Sequence, residues 1–429
     1  MTDVIKSVKG TRDFYPLEKG ILTWLYTNIR EVSEQFGYQE YEGPYLETID
    51  LYAAKSGEEL VKEQSFVFED RGGNPITLRP ELTPSLVRMV AQRQHQLVFP
   101  LRWWSFGPFW RYERPQKGRS REFFQWNIDL IGVGTPEVDA ELTAVIATFF
   151  KKIGLTPQDV SILVNNRRLM DEELNTLGIS LNQRPEVYRL IDRKAKLSAS
   201  AWEKYGQELG LNSSQISGLK NILKNANLWE KSEELQRFFQ SLQVFGVSEF
   251  VRYAPEVIRG LDYYTGTVFE AYDQKGIVPR SILGGGRYDN LMADVGGETL
   301  PGVGFAMGDM VIMLVLDKLG LIPKNLGLTP APIFVTVFDQ EHLLDSFRLA
   351  SEIRQSGLYV SCYPKEEKLT KQFKYADRIG AQAALVLGPD EIQDSLVTIK
   401  DLTARDQFTI PREDVIQAIK DLLARKIPS

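Results

Sequence analysis

The segment FFQWNIDLI, residues 123–131, constrains this chain more than any other part of it. Side chains alternate between the two faces of a β-strand, and here the alternation separates apolar residues from polar ones. One face would carry Phe124, Trp126, Ile128 and Leu130, and the other Gln125, Asn127 and Asp129. A half-solvated surface strand has the same pattern. The neighbouring aromatic residues favour a buried sheet instead, whose polar face is the floor of a ligand site.

A second strand accompanies the first. Residues 98–131 are rich in aromatic residues and alternate in polarity, which predicts a long antiparallel pair. The connection between the strands is strongly basic, with Arg111, Arg114, Lys117, Arg119 and Arg121 against one acid, Glu113. A solvated turn would tolerate these charges. Because the planar, always-charged fork of arginine also suits phosphate, we interpret the connection as a phosphate-binding loop.

Segments rich in arginine, tyrosine and glycine follow further along the chain. RGLDYYTGTVFE (259–270) places an arginine, an acid and two tyrosines before a β-prone run. GGGRYDNL (284–291) and PGVGFAMG (301–308) carry glycines that permit close approach to a flat or phosphorylated ligand. The sequence has no P-loop, dinucleotide-binding fingerprint, HExxH or GxSxG motif. The common nucleotide-binding and hydrolase signatures are therefore not the basis of its chemistry.

The length of 429 residues exceeds what one hydrophobic core normally supports, so more than one domain is expected. Residues from about 165 to 250 are polar and helix-rich, and we interpret them as a helical insertion. The stretch 319–332 is rich in Pro, Gly and Leu, which is typical of a linker. Beyond it, short apolar strands alternate with helices, which predicts a small α/β domain with a mostly parallel sheet. The predicted domains are residues 1–325 and 330–429.

Charge and cysteine content bear on partners and compartment. The net charge of −6 argues against indiscriminate nucleic-acid binding but leaves room for a local basic patch. The single cysteine, Cys362, excludes an internal disulfide and fits a reducing cytosol. The N-terminus lacks the apolar run of a signal peptide, and no stretch is apolar enough to span a bilayer. We therefore expect a cytoplasmic protein without a membrane partner.

Taken together, these segments resemble the histidyl-tRNA synthetases, a family of class II aminoacyl-tRNA synthetases. KGTRDFYP (9–16) is similar to the opening of that family, and the helix–strand unit ending at Pro44 is similar to motif 1, its dimer interface. FWRYERPQKGRSREFFQWNIDL (109–130) resembles motif 2. RPELT (79–83) and RGLDYY (259–264) resemble the two histidine-specific signatures.

The C-terminal residues extend the resemblance over nearly the whole chain. KLTKQFKYADRIGA (368–381) and VTIKDL (397–402) are similar to the anticodon-binding domain of this family. The resemblance implies an α+β fold, with an antiparallel catalytic sheet flanked by helices, a helical insertion that touches the tRNA acceptor arm, and a C-terminal α/β anticodon-binding domain. It also implies a homodimer that joins histidine to tRNA-His through an adenylate, using ATP and Mg²⁺.

The resemblance also assigns roles to residues. Glu81, Thr83 and Gln125 would hold the α-ammonium group of histidine, and Asp129 and Tyr264 would read its imidazole. The histidine-binding set is completed by Arg259 and Tyr263. The ATP-binding set would be Arg111, Glu113, Arg119 and Arg287, with Arg111 and Arg259 as catalytic cations at the α-phosphate and Arg119 at the γ-phosphate. Magnesium would bridge the β- and γ-phosphate oxygens, and no protein ligand is assigned to it.

Two positions depart from the family pattern. Most members carry a glutamate where this chain has Asp129, which is shorter by one methylene. The second departure lies in motif 3. Class II motif 3 carries an arginine about three residues after a glycine, where it clamps the γ-phosphate and the adenine of ATP. In MGDMVIML, Val311 stands at that position, counted from Gly308. Our hypothesis from the sequence is that Arg119 and Arg287 share the missing task.

Other functions also fit parts of the sequence. A regulatory paralogue, the synthetase-like subunit of ATP phosphoribosyltransferase, binds histidine without charging tRNA. It typically lacks the RGLDYY arginine and the anticodon domain, whereas this chain keeps Arg259 and a C-terminal domain. Another class II synthetase with the same tail, such as a prolyl or glycyl enzyme, lacks the histidine-specific segments. A plain nucleic-acid-binding protein would use the lysines of the tail, such as Lys368 and Lys371.

Overall fold

The aromatic-rich segment folds as two antiparallel strands, Leu101–Trp110 and Glu122–Ile131, which pair along their whole lengths. The computed structural model describes residues 4–53, 63–259, 263–290, 293, 296–327 and 329–424. Residues 260–262, in the middle of RGLDYY, lie outside the described residues. The chain divides into two units. The first runs to Asp13 and continues over Thr23–Pro323, and the second comprises Phe14–Leu22 and the residues from Lys324 onward.

The described strands, in chain order, are β1 Gln39–Glu40, β2 Leu46–Thr48, β3 Phe66–Glu69, β4 Pro75–Leu78, β5 Leu101–Trp110, β6 Glu122–Ile131, β7 Val160–Asn166, β8 Val251–Tyr253, β9 Thr267–Asp273, β10 Leu283–Tyr288, β11 Gly302–Gly308, β12 Ile333–Val335, β13 Val360–Cys362, β14 Ala383–Val386, β15 Leu396–Asp401 and β16 Asp406–Pro411. The described α-helices are α1 Pro16–Gln35, α2 Ile49–Ala53, α3 Thr83–Arg93, α4 Pro136–Lys152, α5 Arg167–Thr176, α6 Arg184–Asp192, α7 Ala199–Glu208, α8 Ser213–Ile222, α9 Glu233–Val244, α10 Asp309–Leu319, α11 Leu343–Gln355, α12 Leu369–Arg378, α13 Pro389–Gln393 and α14 Val415–Ala424.

The first unit is built around a sheet in which the described strands have the order β1-β5-β6-β11-β10-β9-β7-β8. The run from β5 to β7 is antiparallel throughout. Only the short edge strands are parallel to their neighbours, β1 to β5 and β8 to β7. This confirms the predicted antiparallel sheet. Pro44 lies between β1 and β2, outside both strands, as expected for a residue that cannot donate to a ladder.

The apolar face of β6 is the centre of the largest core. Trp126, Ile128 and Leu130 are fully buried. The Trp126 ring lies edge-on to Phe305 of β11 at 4.8 Å between centroids and meets Phe149 of α4 at 5.1 Å. Aromatic pairs of this geometry add about 0.5–1.5 kcal/mol each beyond the area that they bury. The apolar face therefore packs against α4, which leaves the polar face of β6 on the other side of the sheet.

Helices α5–α9 occupy residues 167–244, between β7 and β8, where the sequence predicts a helical insertion. Four of these five helices begin at a side chain that accepts a backbone N–H bond from the first turn, and α6 does not. Asn166 caps α5, Ser198 caps α7, Asn212 caps α8 and Ser232 caps α9. Each such cap stabilises a helix by about 1 kcal/mol. The capping residues thus explain where these four helices begin.

The second unit holds a sheet whose described strands have the order β13-β12-β14-β15-β16. β12, β13 and β14 are parallel, whereas β15 and β16 are antiparallel to their neighbours. The prediction of a mostly parallel sheet holds for the first three strands only. A short turn joins β15 to β16, and strands joined in this way pair antiparallel, because a parallel pair needs a long crossover. Within the described residues, no helix is long and apolar enough to cross a membrane.

Candidate active site

A cavity of about 640 Å³ opens on the polar face of the first sheet. Its size lies within the usual range for small-molecule sites, roughly 300–1,000 Å³. All but one of the predicted site residues line it, and they come from four separate segments of the chain: Glu81, Thr83, Arg111, Glu113, Arg119, Gln125, Asp129, Arg259, Tyr263 and Tyr264. The exception is Arg287.

The floor of the cavity is the polar face of β6. Gln125, Asn127 and Asp129 all line it. On the neighbouring strand β11, their cross-strand partners are Gly308, Ala306 and Gly304. Because these partners carry a methyl group at most, the sheet beside the polar row is nearly free of side chains. A ligand can therefore lie flat on β11 while its polar groups reach β6.

Asp129 is the most strongly perturbed group on this floor. Its side chain is buried and accepts a hydrogen bond of 2.5 Å from the hydroxyl of Tyr288. Burial raises the pKa of Asp129 to about 7, and the hydrogen bond from Tyr288 acts in the opposite direction. A Cβ at Gly304 would lie 1.9 Å from Oδ1 of Asp129. Glycine at 304 is therefore what allows the carboxylate to sit here.

Arg259 lines the cavity over strand β10 of the same sheet. Its backbone is left-handed, with φ of 58°, and its carbonyl oxygen accepts a hydrogen bond of 2.7 Å from the buried Arg167. Nη1 of Arg259 donates to Glu270 at 3.2 Å. A Cβ at Gly284 would lie 1.2 Å from the same nitrogen, so the guanidinium lies directly on β10. A left-handed non-glycine residue costs about 1–3 kcal/mol and is maintained only where its surroundings enforce it.

The charge of Arg259 is well supported. Burial by itself would lower the pKa of this guanidinium, but Tyr264 and Glu270 raise it above the ordinary value. Glu270 also accepts a hydrogen bond of 2.6 Å from the hydroxyl of Tyr272. Arg259 is therefore a fixed cation in the cavity, because it is paired with Glu270, which Tyr272 in turn anchors. A fixed guanidinium of this kind suits an anionic ligand.

The RPELT segment is fixed by a fully buried arginine. Arg79 lies between the rings of Tyr45 and Phe109, at 4.5 and 4.3 Å from their centroids. It forms an ion pair with Glu42 and donates to the carbonyl oxygen of Pro108 at 3.0 Å. These contacts hold the chain that follows, so that Glu81 and Thr83, where α3 begins, line the cavity.

The basic connection between β5 and β6 contributes only part of its charge to the cavity. Arg111 lines it and is anchored by a hydrogen bond of 3.0 Å from Nε to the carbonyl oxygen of Pro80. Arg119 lines it too, and its Nε lies 2.6 Å from Glu113. Arg121 instead stacks on Tyr112 at 4.1 Å, outside the cavity lining.

Arg287 is not brought to the cavity, which corrects the role in ATP binding predicted for it. Its guanidinium forms a buried ion pair with Asp139 of α4, and Nη2 donates to the carbonyl oxygen of Thr135 at 3.2 Å. The physical reason is strand alternation. On β10, Gly284 and Tyr288 face the cavity, and Arg287 therefore points through the opposite face. The hypothesis that it replaces the motif 3 arginine is not supported.

Motif 3 is connected to the N-terminal segment KGTRD. Asp309, the first residue of α10, is buried, pairs with Arg12 at 2.8 Å and accepts a hydrogen bond of 3.0 Å from the backbone N–H of Phe124. This contact holds the start of α10 against β6. Val311 follows two residues later, is buried and lines the cavity.

Several residues of the cavity were not predicted. Tyr288, Glu270 and Arg280 line it, as does Asn127, which lies on the predicted polar face but was given no role. Asn127 is buried, and its Nδ2 has no hydrogen-bond partner among the described residues. Strand alternation places Tyr288 on the same face of β10 as Gly284, so the sequence pattern could have identified it as a cavity residue. Arg280 lies in a loop, where no such period exists.

Comparison with known proteins places this geometry in a family. A family model described as histidyl-tRNA synthetase matches residues 10–310, and one described as anticodon binding domain matches residues 331–422. A histidine–tRNA ligase of Leptospira biflexa serovar Patoc is 33% identical over 431 residues, which cover 98% of each chain. The chloroplastic/mitochondrial histidine–tRNA ligase of Arabidopsis thaliana is 37% identical over 417 residues, which cover 95% of this chain and 85% of that one.

Solved structures agree with the sequence comparisons. The histidyl-tRNA synthetase from Nostoc sp. PCC 7120 has a TM-score of 0.83 at 25% identity, covering 98% of this chain and 100% of that one. The regulatory-paralogue alternative is less well supported, because relatives named histidine–tRNA ligase align with nearly the whole chain. These comparisons confirm the resemblance seen in the sequence. The chain belongs to the histidyl-tRNA synthetase family.

Proposed function

We propose that this chain activates histidine with ATP to histidyl-adenylate and transfers the histidyl group to the 3′ end of tRNA-His. The observation that carries the proposal is one cavity with a buried carboxylate, Asp129, on its floor and two anchored arginines, Arg111 and Arg259, among its lining residues. An amino acid with a ring N–H and a nucleotide with an anionic triphosphate require such a combination. The relatives named histidine–tRNA ligase support the same reaction.

Histidine would be recognised at both of its polar ends. Asp129 accepts a hydrogen bond from an imidazole N–H, and Tyr264 contacts the other side of the ring. Glu81, Thr83 and Gln125 hold the α-ammonium group, with Tyr263 beside them. An analogue that lacks the ring nitrogens would leave a buried carboxylate unpaired, and sites of this kind reject such analogues by roughly 10⁴-fold or more.

The first step joins histidine to AMP. A carboxylate oxygen of histidine attacks the α-phosphorus of ATP, a new P–O bond forms, and the bond to the β-phosphate oxygen breaks as pyrophosphate leaves. Arg111 and Arg259 neutralise the charge that develops on the α-phosphate. Fixed donors of this type commonly contribute about 3–4 kcal/mol each to transition-state stabilisation. Both arginines are held by neighbouring groups before ATP arrives, so little reorganisation is needed.

Magnesium fits this chain as a partner of the nucleotide. Within the described residues, no group of three or more His, Cys, Asp or Glu side chains is arranged to hold a metal ion. The phosphate oxygens of ATP would therefore supply most of its ligands, together with water, as Mg²⁺ often prefers. When bound, the ion would neutralise charge on the β- and γ-phosphates. Arg119, which lies beside Glu113 in the cavity, would share the γ-phosphate with it.

The second step uses tRNA-His. A hydroxyl of its terminal ribose attacks the histidyl carbonyl carbon, and AMP leaves. The anticodon-binding domain would hold the other end of the tRNA, and its match to residues 331–422 supports that role. Arg114 and Lys117 are exposed on the connection between β5 and β6 and are suited to the phosphates of the acceptor end. The reaction would take place in the cytoplasm, where its tRNA substrate is used.

We expect the active form to be a homodimer joined through the motif 1 region near Pro44. Large apolar side chains are exposed on the small sheet β2-β4-β3 and beside it, namely Tyr45, Leu46, Val67 and Phe68. A cluster of exposed apolar residues is typical of a surface that another protein covers. Light scattering on the purified protein would give twice the chain mass if this expectation is right, and Phe68→Asp should shift it toward the monomer.

The reaction can be tested directly. ATP–pyrophosphate exchange should depend on histidine and on none of the other standard amino acids, and labelled histidine should be transferred to tRNA-His. Arg259→Ala should lose exchange by at least about 100-fold while the protein remains folded. A folded protein that binds histidine but shows no exchange would refute the proposal and favour the regulatory alternative.

A further inference from the structure

Position 311 departs from the family pattern at the end of the cavity where ATP is expected to bind. Val311 lies in the first turn of α10, where it is buried and lines the cavity. An isopropyl group supplies neither charge nor a hydrogen bond to a phosphate. Another cation must therefore reach the same region if ATP is to be clamped there. Arg287 does not, because it is committed to Asp139 on the other side of the sheet.

Three segments meet at Gly118, directly beside Val311. A Cβ built on Gly118 would lie 3.6 Å from Cγ2 of Val311, 3.5 Å from Leu314 and 3.8 Å from Cγ1 of Val278. The connection between β5 and β6, the start of α10 and the loop between β9 and β10 therefore pack together at one point. The backbone of the β9–β10 loop is therefore close to the space that a longer side chain at position 311 would occupy, and a long side chain on this loop can reach the same space.

The β9–β10 loop is held in a defined conformation. The carboxylate of Asp273 accepts backbone N–H bonds from Lys275 at 3.2 Å, Ile277 at 2.7 Å and Val278 at 3.1 Å. A loop pinned in this way presents its next residues with little conformational freedom. Arg280 follows Val278 by two residues, is half-buried and lines the cavity.

The positive charge of Arg280 is available to bind an anion. It makes no hydrogen bond or ion pair with any residue that the structure describes, whereas Arg119 and Arg259 are paired with Glu113 and Glu270. Burial and the positive charge of Arg119 lower the pKa of Arg280, and the negative charge of Glu113 acts in the opposite direction. Both arginines line the cavity, and Gly118, next to Arg119 in the chain, packs against Val278, two residues before Arg280. Glu113 already pairs with Arg119 at 2.6 Å. This end of the cavity therefore carries excess positive charge, which an anion would relieve.

We propose that Arg280 binds the β- or γ-phosphate of ATP beside Arg119 and so replaces the arginine that is absent at position 311. The inference rests on the proposed adenylation reaction, in which the triphosphate occupies this end of the cavity. Arginine suits the task because its fork donates two hydrogen bonds to one phosphate. Arg280 contacts the leaving pyrophosphate and stabilises it as the bond to the α-phosphorus breaks.

The test compares Arg280→Ala with Lys275→Ala. Lys275 is a cation on the same loop, pairs with Asp159 at 3.0 Å and lies outside the cavity lining, so it is a matched control. In ATP–pyrophosphate exchange, Arg280→Ala should lower kcat/KM for ATP by about 100-fold. The KM for histidine should change by less than about threefold, as should the Ki for adenosine, which has no phosphate. Lys275→Ala should match the wild type in all three.

A second variant tests the replacement itself. Val311→Arg, introduced into Arg280→Ala, should recover at least about tenfold of the lost kcat/KM, because Val311 and the loop that carries Arg280 both pack at Gly118. A double variant no better than Arg280→Ala would overturn the claim that the two positions serve the same phosphate. Arg280→Ala within about threefold of the wild type would overturn the proposal, as would equal losses for ATP and adenosine.

The failure of this inference differs from failure of the proposed function. A wild-type chain without histidine-dependent exchange would refute the adenylation reaction. Calorimetric titration with ATP and Mg²⁺ still tests Arg280 in that case, because it needs no catalysis. Weaker binding of ATP with unchanged binding of adenosine would support the role of Arg280, and equal affinity for ATP in variant and wild type would remove it.

Discussion

Replacement of Tyr288 by phenylalanine should change the pH dependence of histidine activation. Burial holds the pKa of Asp129 at about 7, and the 2.5 Å hydrogen bond from Tyr288 keeps it from rising further. A hydrogen bond to a charged group is worth about 1.5–3 kcal/mol. One pKa unit corresponds to about 1.36 kcal/mol, so Tyr288→Phe should raise the pKa of Asp129 by about 1–2 units.

The expected loss of activity follows from the fraction of ionised Asp129. The carboxylate must be ionised to accept the imidazole N–H of histidine. At pH 7 about half of the wild-type protein meets this condition, whereas the variant should fall to about 1–10%. The value of kcat/KM for histidine should therefore drop about 5- to 50-fold at pH 7, and the loss should shrink as the pH rises toward 9.

The assay is ATP–pyrophosphate exchange from pH 5.5 to 9, with the ratio of wild-type to variant kcat/KM plotted against pH. The imidazole of free histidine also titrates in this range, but it contributes equally to both proteins and cancels in the ratio. Tyr38→Phe is the control. Tyr38 is buried, donates to Glu141 at 3.4 Å and lies outside the cavity lining. A ratio for Tyr288→Phe that does not vary with pH would refute the reasoning.

The raised pKa of Asp129 also predicts how the free energy of unfolding depends on pH. The sign of this dependence follows from the linkage between proton binding and folding. The folded-state pKa of Asp129, about 7, exceeds the ordinary value of 3.8, so the folded chain binds this proton more tightly than the unfolded chain. Its contribution to stability is fully present below pH about 3.8 and is lost as the pH rises through about 7. The loss amounts to at most about 4 kcal/mol. Asp129→Asn should therefore unfold at higher temperature than the wild type at pH 8, with little difference at pH 4.

Three further substitutions test how the backbone and the floor place the catalytic groups. Gly284→Ala would put a methyl group 1.2 Å from Nη1 of Arg259, so kcat of exchange should fall about 100-fold while the melting temperature changes little. Gly304→Ala would displace the carboxylate of Asp129, 1.9 Å from the new Cβ, and should raise the KM for histidine more than it lowers kcat. Asn127→Ala removes a buried amide nitrogen that has no partner in the described part of the chain, so the free energy of unfolding of the free protein in urea should rise by about 1 kcal/mol while its KM for histidine rises about tenfold. An Asn127→Ala protein with unchanged KM would exclude Asn127 from ligand binding.

Those parts of the fold and site that depend only on local rules could be predicted from the sequence. The alternation in FFQWNIDLI assigned Trp126 to the core and Asp129 to the polar face, and both assignments hold. Alternation works because a strand has a period of two, whatever its neighbours are. The linker could likewise be separated from strands and helices, because its composition is a property of a short stretch of sequence. The family followed from segments whose residue order is specific, such as RPELT and RGLDYY.

The tertiary structure decided which cations reach the cavity. Arg287 follows three glycines and resembles a ligand residue in the sequence, but it lies on the face of β10 opposite the cavity, where it pairs with Asp139, 148 positions earlier in the chain. Arg280 lies in a loop without periodicity, and only the packing of three distant segments at Gly118 brings it beside Arg119. The charge of a side chain follows from its residue type alone. The direction in which that charge acts depends on long-range packing, because a loop and a strand face acquire their orientation only from the elements that they pack against.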